Sequence, residues 1–521
     1  MIKIENLSVA FDGTEVVKHV NLEVTDGEIL GIVGESGSGK SVTALTLMGL
    51  VSDTATVTTG RILVDDCVLR EAGKKVDKAL YRTMQGDSMS MIFQEPMTSL
   101  NPTQKVGRQV EEMLKLHTVL EKEERKQKVL ETFEAVGLKN APTVYDSYPH
   151  QLSGGMRQRV MIAMAIILHP DLVVADEPTT ALDVSIQNQI VSLLKEINTK
   201  ENNSMIFITH DLNLARRICD RVAVMKDGLV VELGSTEEIF DHPKEAYTKN
   251  LIEAVPSRLK KRVSAMKERG KREPIVQVKD LSVYYLDGNG NPFAGKKKSE
   301  IVHNVSFDIY KGESLGLVGE SGCGKTTLSK AILGIHGGYT GEIVHATVRP
   351  QMIFQDPYSS LNPAKTIGWL LQEPLRAQGR LDQSKAMTKA DMEAAAYDML
   401  RKVGMEEKYF HRKPSQLSGG QRQRVSIGQA LITRPGLIVA DEPVSALDVT
   451  VQAQIMELMQ KLQQEMELSY LFISHDINVV YHMCDRIMVM KEGRIVEIGE
   501  TESVFRNPKD AYTALLLKDS L

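Results

Sequence analysis

The sequence predicts an α/β protein made of two similar phosphate-binding domains in tandem. Three observations carry this. A glycine-rich stretch, GESGSGKS at 34–41, returns 285 positions later as GESGCGKT at 319–326. Apolar runs that read as strands precede both copies (EILGIV and SLGLV), and helix-forming sequence follows both (SVTALTLMGL and TTLSKAILGI). The duplication then runs the length of the chain.

The matched segments follow one order. ENLSVAF (5–11) pairs with KDLSVYY (279–285) as a first strand, and the glycine-rich loops follow. Gly34, Gly37 and Gly39, like Gly319, Gly322 and Gly324, let the backbone form a nest of N–H groups at a helix N-terminus, where phosphate is favoured. Ser36 and Ser38, and in the second copy Ser321 and Cys323, fill the small positions between them. Cys323 reads as a small residue tolerated beside closely packed backbone. Lys40 and Lys325 reach toward the β/γ-phosphates, and Ser41 and Thr326 offer a hydroxyl to Mg²⁺. Val42 and Thr327, next on each helix, complete these nucleotide-binding sets.

Further pairs are MIFQEPMTSLNP (91–102) with MIFQDPYSSLNP (352–363), and QLSGGMRQRV (151–160) with QLSGGQRQRV (416–425). VVADEPTTALDV (173–184) pairs with IVADEPVSALDV (438–449), FITHD (207–211) with FISHD (472–476), and HPKEAYT with NPKDAYT near each end. From the QLSGG pair onward the offset is a constant 265 residues. Earlier drift locates insertions: about 24 extra residues between Lys40 and Gln94, and a Gly/Asn/Lys-rich loop, LDGNGNPFAGKKKSE, in the second half. Domains at 1–255 and 275–521 are expected, joined at 256–274 by a linker with eight basic and two acidic residues.

Bulk properties narrow the function. With 42% hydrophobic and 25% charged residues the composition is that of a globular protein. A net charge of −5 and a pI near 6.2 argue against nucleic acid as a partner. No signal pattern opens the sequence, and no run approaches the roughly 18 apolar residues that span a bilayer. The four cysteines (Cys67, Cys219, Cys323, Cys484) lie far apart, which predicts reduced thiols; Cys219 and Cys484, at equivalent positions, read as small buried residues.

With these motifs in this order, the chain resembles two ATP-binding cassette (ABC) ATPase subunits fused in tandem, most of all the pair that powers peptide, nickel and opine importers. The LSGG segments are the most specific feature of the likeness. It implies P-loop NTPase cassettes, each with a RecA-like core, an antiparallel β subdomain and a helical signature subdomain. Asp176 and Asp441, ending apolar strands, would help hold Mg²⁺. Glu177 and Glu442 would act as general bases on the attacking water. Gln94 and Gln355 would touch Mg²⁺ and water and sense a membrane partner. His210 and His475 would contact the γ-phosphate. Phe11 and Tyr285 would stack on adenine, a core role being the other reading. The Ser153-Gly154-Gly155 and Ser418-Gly419-Gly420 segments form second anion sites. Each would face the phosphate loop of the other half, with Asp183 and Asp448 crossing the interface in a head-to-tail pseudo-dimer within one chain.

The likeness implies ATP and Mg²⁺ as ligands, two integral-membrane permease subunits and an extracytoplasmic substrate-binding protein as partners, and a peripheral place on the cytoplasmic face of the cell membrane. Some relatives carry a cysteine cluster in the tail. Neither tail here holds a cysteine, so no iron–sulfur cluster is expected. Met156 replaces Gln421 in the first signature and Val42 replaces Thr327, but no catalytic residue type is missing from either half. That argues against fused sugar-importer ATPases. A ribosome-associated tandem cassette would carry a long basic arm between its halves, and a DNA-repair cassette would need zinc-type cysteines.

Overall fold

The computed structural model describes residues 1–65, 67–180, 182, 184–255, 273–287, 297–346, 350–445 and 447–518. The chain divides into two compact units, Met1–Val255 and Pro256–Leu521. The expected linker lies outside the described residues except at 273 and 274, and a strand already begins at Pro274.

In the first unit, a six-stranded sheet has the order Leu229–Ser235, Arg221–Lys226, Ile29–Val33, Ser204–Thr209, Leu172–Asp176, Met89–Ile92. All neighbours are parallel except the outer Leu229–Ser235 strand. The central strands are continuous apolar runs because helices and a second sheet cover both faces. Side chains alternate between them: Ile29 and Val33 join a core with the helical layer, whereas Leu30 and Ile32 join a core with the antiparallel sheet. Each fully buried Val, Leu or Ile contributes about 1.5–3 kcal/mol.

The antiparallel sheet has the order Thr14–Val24, Ile2–Phe11, Ala55–Val64, Cys67–Glu71. A helical layer formed by Val106–His117, Lys122–Ala135, Ala141–Tyr145 and Gly154–Ile166 packs on the other face. Helix Val106–His117 buries Val106, Val110 and Leu114, at the i, i+4, i+8 spacing of a one-faced helix.

The second unit repeats the plan. Its six-stranded sheet has the order Gln351–Ile353, Leu437–Asp441, Ser469–Ile473, Ser314–Val318, Arg486–Lys491, Arg494–Glu500. Its antiparallel sheet has three strands, Lys297–Tyr310, Pro274–Asp287 and Tyr339–His345. The first unit's extra residues therefore build an edge strand, Cys67–Glu71, and a helix, Lys78–Met84, capped by the Asp77 carboxylate. The second unit's extra loop lies mostly outside the described residues. Cys219 and Cys484 are buried. Among the described residues no helix is long and apolar enough to cross a membrane.

Candidate functional site

Each site grows from the carboxyl ends of its parallel strands, where an open α/β sheet exposes its ligand crevice. In the first unit strand Ile29–Val33 runs into the loop and helix Lys40–Leu47 leaves it, with Gly39 as left-handed N-cap. Gly34 has φ 149°, and a Cβ there would lie 2.1 Å from the Met225 carbonyl oxygen, so only glycine fits. Gly319 repeats this with φ 155° and the Met490 carbonyl oxygen at 2.1 Å. Gly37, Gly322 and Gly324 also have positive φ. Ser36 and Ser321 are exposed, while Ser38 and Cys323 are buried under the loop.

The lysines are buried charges, 5% exposed for Lys40 and 7% for Lys325. Lys40 Nζ donates to the Gly34 and Glu35 carbonyls at 2.8 and 2.7 Å, and Lys325 Nζ to those of Gly319 and Glu320 at 2.7 and 2.9 Å. Ser41 Oγ donates to Asp176 at 3.0 Å, and Thr326 Oγ1 to Asp441 at 3.2 Å. Val42 and Thr327 are half-buried on the same helices.

The glutamates are gathered by neighbours. Glu177 Oε2 accepts from Gln94 Nε2 and Thr180 Oγ1, both at 2.9 Å, and lies 3.2 Å from His210 Nδ1. Glu442 Oε2 accepts from Gln355 Nε2 at 2.8 Å and lies 3.1 Å from His475 Nδ1. Ser445, in the place of Thr180, donates to the Glu442 carbonyl oxygen at 3.1 Å and also helps hold the Glu442 carboxylate charge. Both glutamates have left-handed backbones, φ 46° and 47°, in a region non-glycine residues disfavour.

Electrostatics separate each adjacent acid pair. Burial raises the Asp176 and Asp441 carboxyls above the usual range, and the neighbouring glutamate charge adds to this. Burial also works against the glutamate charges. The hydrogen bond and charge of His210 outweigh it and leave Glu177 below the usual range; His475 does the same for Glu442. Burial lowers His210, but Glu177 more than restores it, so the imidazole stands above its ordinary value. Each glutamate is thus kept ionised beside an aspartate of reduced acidity.

The remaining expected residues come from other segments of each unit. Ser153 and Ser418 are N-caps, their Oγ atoms accepting from the N–H of Met156 at 3.3 Å and Gln421 at 3.4 Å. Gly154 and Gly155, and Gly419 and Gly420, form the first turns of those helices. Asp448 caps helix Val449–Met466 through Val451 N–H at 3.0 Å. Asp183 lies outside the described residues. Phe11 packs partly buried against the strand core, whereas Tyr285 is 39% exposed, its ring 4.5 Å from that of His336.

Sequence reasoning passed over Thr180. The only signal was its place in the repeat, with another hydroxyl, Ser445, 265 residues on. It also assigned no role to Tyr247 and Tyr512, whose hydroxyls accept from phosphate-loop N–H groups.

Comparison with known proteins gives the family. The ABC transporter family model matches residues 17–180 and 302–445. The oligopeptide/dipeptide transporter C-terminal region model matches residues 231–283 and 496–520. The chain is 40% identical to the glutathione import ATP-binding protein GsiA of Pectobacterium atrosepticum, over 99% of this chain and 89% of that protein. It is 41% identical to GsiA of Salmonella typhimurium with the same coverage. Among solved structures it is similar to an archaeal ribosome recycling factor in complex with a ribosomal stalk protein. The TM-score is 0.62 over 96% of this chain and 90% of that one, at 22% identity, which is a likeness of fold alone. The chain belongs to the ABC transporter family, as an ATPase with two cassettes in one polypeptide, of the oligopeptide/dipeptide import type.

Proposed function

We propose that this chain is the energy-coupling ATPase of an importer for glutathione or other short peptides, acting from the cytoplasmic face of the cell membrane. It drives two integral-membrane permease subunits that are supplied by an extracytoplasmic substrate-binding protein. The cargo reading rests on the relatives, which are named for glutathione import. The observation that carries the chemistry is the duplicated cluster around Glu177 and Glu442. Each glutamate is the base that takes a proton from the attacking water, and each buried lysine supplies positive charge to the phosphates. His210 and His475 hold the base and face the γ-phosphate, while Phe11 and Tyr285 flank the adenine.

Mg²⁺ fits the residues present: Ser41 with Asp176, and Thr326 with Asp441, each pair a hydroxyl beside a carboxylate, the oxygen donors a hard cation takes. Gln94 and Gln355 belong to the same donor set. The ion would neutralise charge on the phosphate oxygens.

Two ATP sites are composite in this reading, Lys40 working with Ser418 and Lys325 with Ser153, and Asp183 and Asp448 crossing between the halves. One chain then supplies both halves of each site, at an effective concentration in the millimolar range of order.

A permease contact is supported by a groove of about 530 Å³ in the first unit, lined by Met48, Leu50, Met89, Met91, Phe93 and Met113. Flexible methionines suit an apolar helix end from a partner. Phe93 directly precedes Gln94, so a partner seated there is one residue from the Glu177 cluster.

Reconstitution tests the reading. In vesicles holding this chain with its permeases, glutathione-loaded binding protein should raise ATP turnover several-fold. Turnover indifferent to glutathione and to short peptides overturns the cargo assignment.

A further inference from the structure

The peptide group joining Gly34 to Glu35 is tied from three sides. Its carbonyl accepts from Lys40 Nζ at 2.8 Å, and its N–H donates to the Tyr247 hydroxyl at 3.4 Å. The Met225 carbonyl closes the third side, at 2.1 Å from where a Cβ on Gly34 would stand. The Gly319–Glu320 peptide repeats this with Lys325 at 2.7 Å, the Tyr512 hydroxyl at 3.1 Å and the Met490 carbonyl at 2.1 Å.

Both tyrosines come from the tail of their own cassette, on helices Ala246–Glu253 and Ala511–Lys518. Each tail is built to deliver its ring. The Glu232 carboxylate accepts the N–H groups of Lys244 and Glu245 at 2.8 and 3.2 Å, just ahead of the first helix. Glu497 accepts those of Lys509 and Asp510, at 3.0 and 3.1 Å, ahead of the second. Lys226 then lies 4.7 Å from the Tyr247 ring centroid, and Lys491 4.9 Å from that of Tyr512. These lysines directly follow Met225 and Met490, so one strand end seats the ring and packs the loop glycine.

We propose that Tyr247 and Tyr512 are positioning residues for the phosphate loops, which makes each C-terminal tail a part of its cassette's nucleotide site. The inference rests on the reading of these loops as nucleotide sites. The hydroxyl holds the peptide plane while the lysine on its other side exchanges carbonyl partners for phosphate. Without it the loop must be ordered when nucleotide arrives, and affinity falls.

Tyr→Phe variants isolate the hydroxyl, since ring and cation–π contact remain. With the first loop disabled by Lys40→Ala, Tyr512→Phe should weaken ADP binding about three- to tenfold by calorimetry, the worth of one hydrogen bond. The nucleotide-free unfolding temperature should move by less than about 2 °C. With both loops intact, Tyr512→Phe should raise KM for ATP while kcat stays within about twofold. Tyr247→Phe, read with Lys325→Ala, should act in the same direction but more weakly, its bond being the longer at 3.4 Å; this arm decides if Tyr512→Phe does not fold. Unchanged ADP affinity overturns the inference. So does weakened binding that comes with an equally clear loss of nucleotide-free stability, which would make the tail ordinary packing. If the Lys40→Ala chain with Tyr512 intact does not bind ADP, the nucleotide-site reading itself fails.

Discussion

The two cassettes differ least in the lysine and glutamate clusters proposed to handle phosphates and protons and most around them. Gln–Glu distances are 2.9 and 2.8 Å, His–Glu distances 3.2 and 3.1 Å, and lysine–carbonyl distances 2.8 and 2.7 Å. The signature helices diverge. In the second cassette the Gln421 side chain accepts from Ser418 N–H at 3.1 Å, completing a capping box, and donates to the Tyr409 hydroxyl at 3.1 Å. Met156 takes that place in the first and packs against the helical core. The loop after Gln355 is pinned by Tyr358 under the Arg422 guanidinium, 3.6 Å from the ring centroid, whereas Arg157 meets Met97 Sδ. If the proposed chemistry holds, the two sites should be equally competent although their frames differ.

The largest test is all-or-none and asks whether the second phosphate loop meets the first signature segment, using the exposed positions Ser321 and Ser153. If the halves close head-to-tail as proposed, Ser153→Cys with Ser321→Cys, in a chain whose four cysteines are replaced, should form a disulfide on oxidation, which needs Cα atoms roughly 4.4–6.8 Å apart. A monomer-sized band of altered mobility and reductant-reversible loss of turnover are expected. A dimer-sized band would mean that separate chains complete each other's sites, and no bond under any nucleotide condition would sink the sandwich arrangement.

Equal competence is the next point to break. If the two sites fire only as a coupled pair, Glu177→Gln and Glu442→Gln should each lower ATP turnover about 100-fold, as for loss of a general base, while nucleotide still binds. Near-normal turnover in one variant would reduce that half to a regulatory site.

The frame gives the smallest effect. Gln421→Met should cost about 1 kcal/mol through the lost box, a fall of about 2–4 °C in the second cassette's unfolding temperature. Met156→Gln should shift the first cassette's transition upward by no more than that. Shifts of the same sign would show that the capping box is not what separates the halves.

Much of this was legible because strands buried on both faces leave uninterrupted apolar runs, and because the repeat prints each site twice. LVVAD and LIVAD read as strands ending at acids for that reason. The insertion before Gln94 was located by offset, but CVLRE is too short and polar to announce an edge strand. The tyrosines escaped for a different reason. Tyr247 meets Glu35 across 212 residues, a contact that no local pattern records, although AYT and AYT stood in register at both ends. Thr180 and Ser445 show the limit of the repeat itself. Both are hydroxyls at one aligned position and both act on their glutamate carboxylate, yet the clear 2.9 Å bond of Thr180 goes to the carboxylate and the 3.1 Å bond of Ser445 to the backbone carbonyl.

The left-handed backbones of Glu177 and Glu442 carry an evolutionary consequence. Holding an L-residue other than glycine there costs roughly 1–2 kcal/mol per position. Glycine or asparagine would relieve that cost at both places and, in the proposed mechanism, remove the base. On the proposed roles, selection for heat tolerance alone would therefore drift toward hardy, inert cassettes, and the demand for transport would be what keeps two glutamates where the backbone disfavours them.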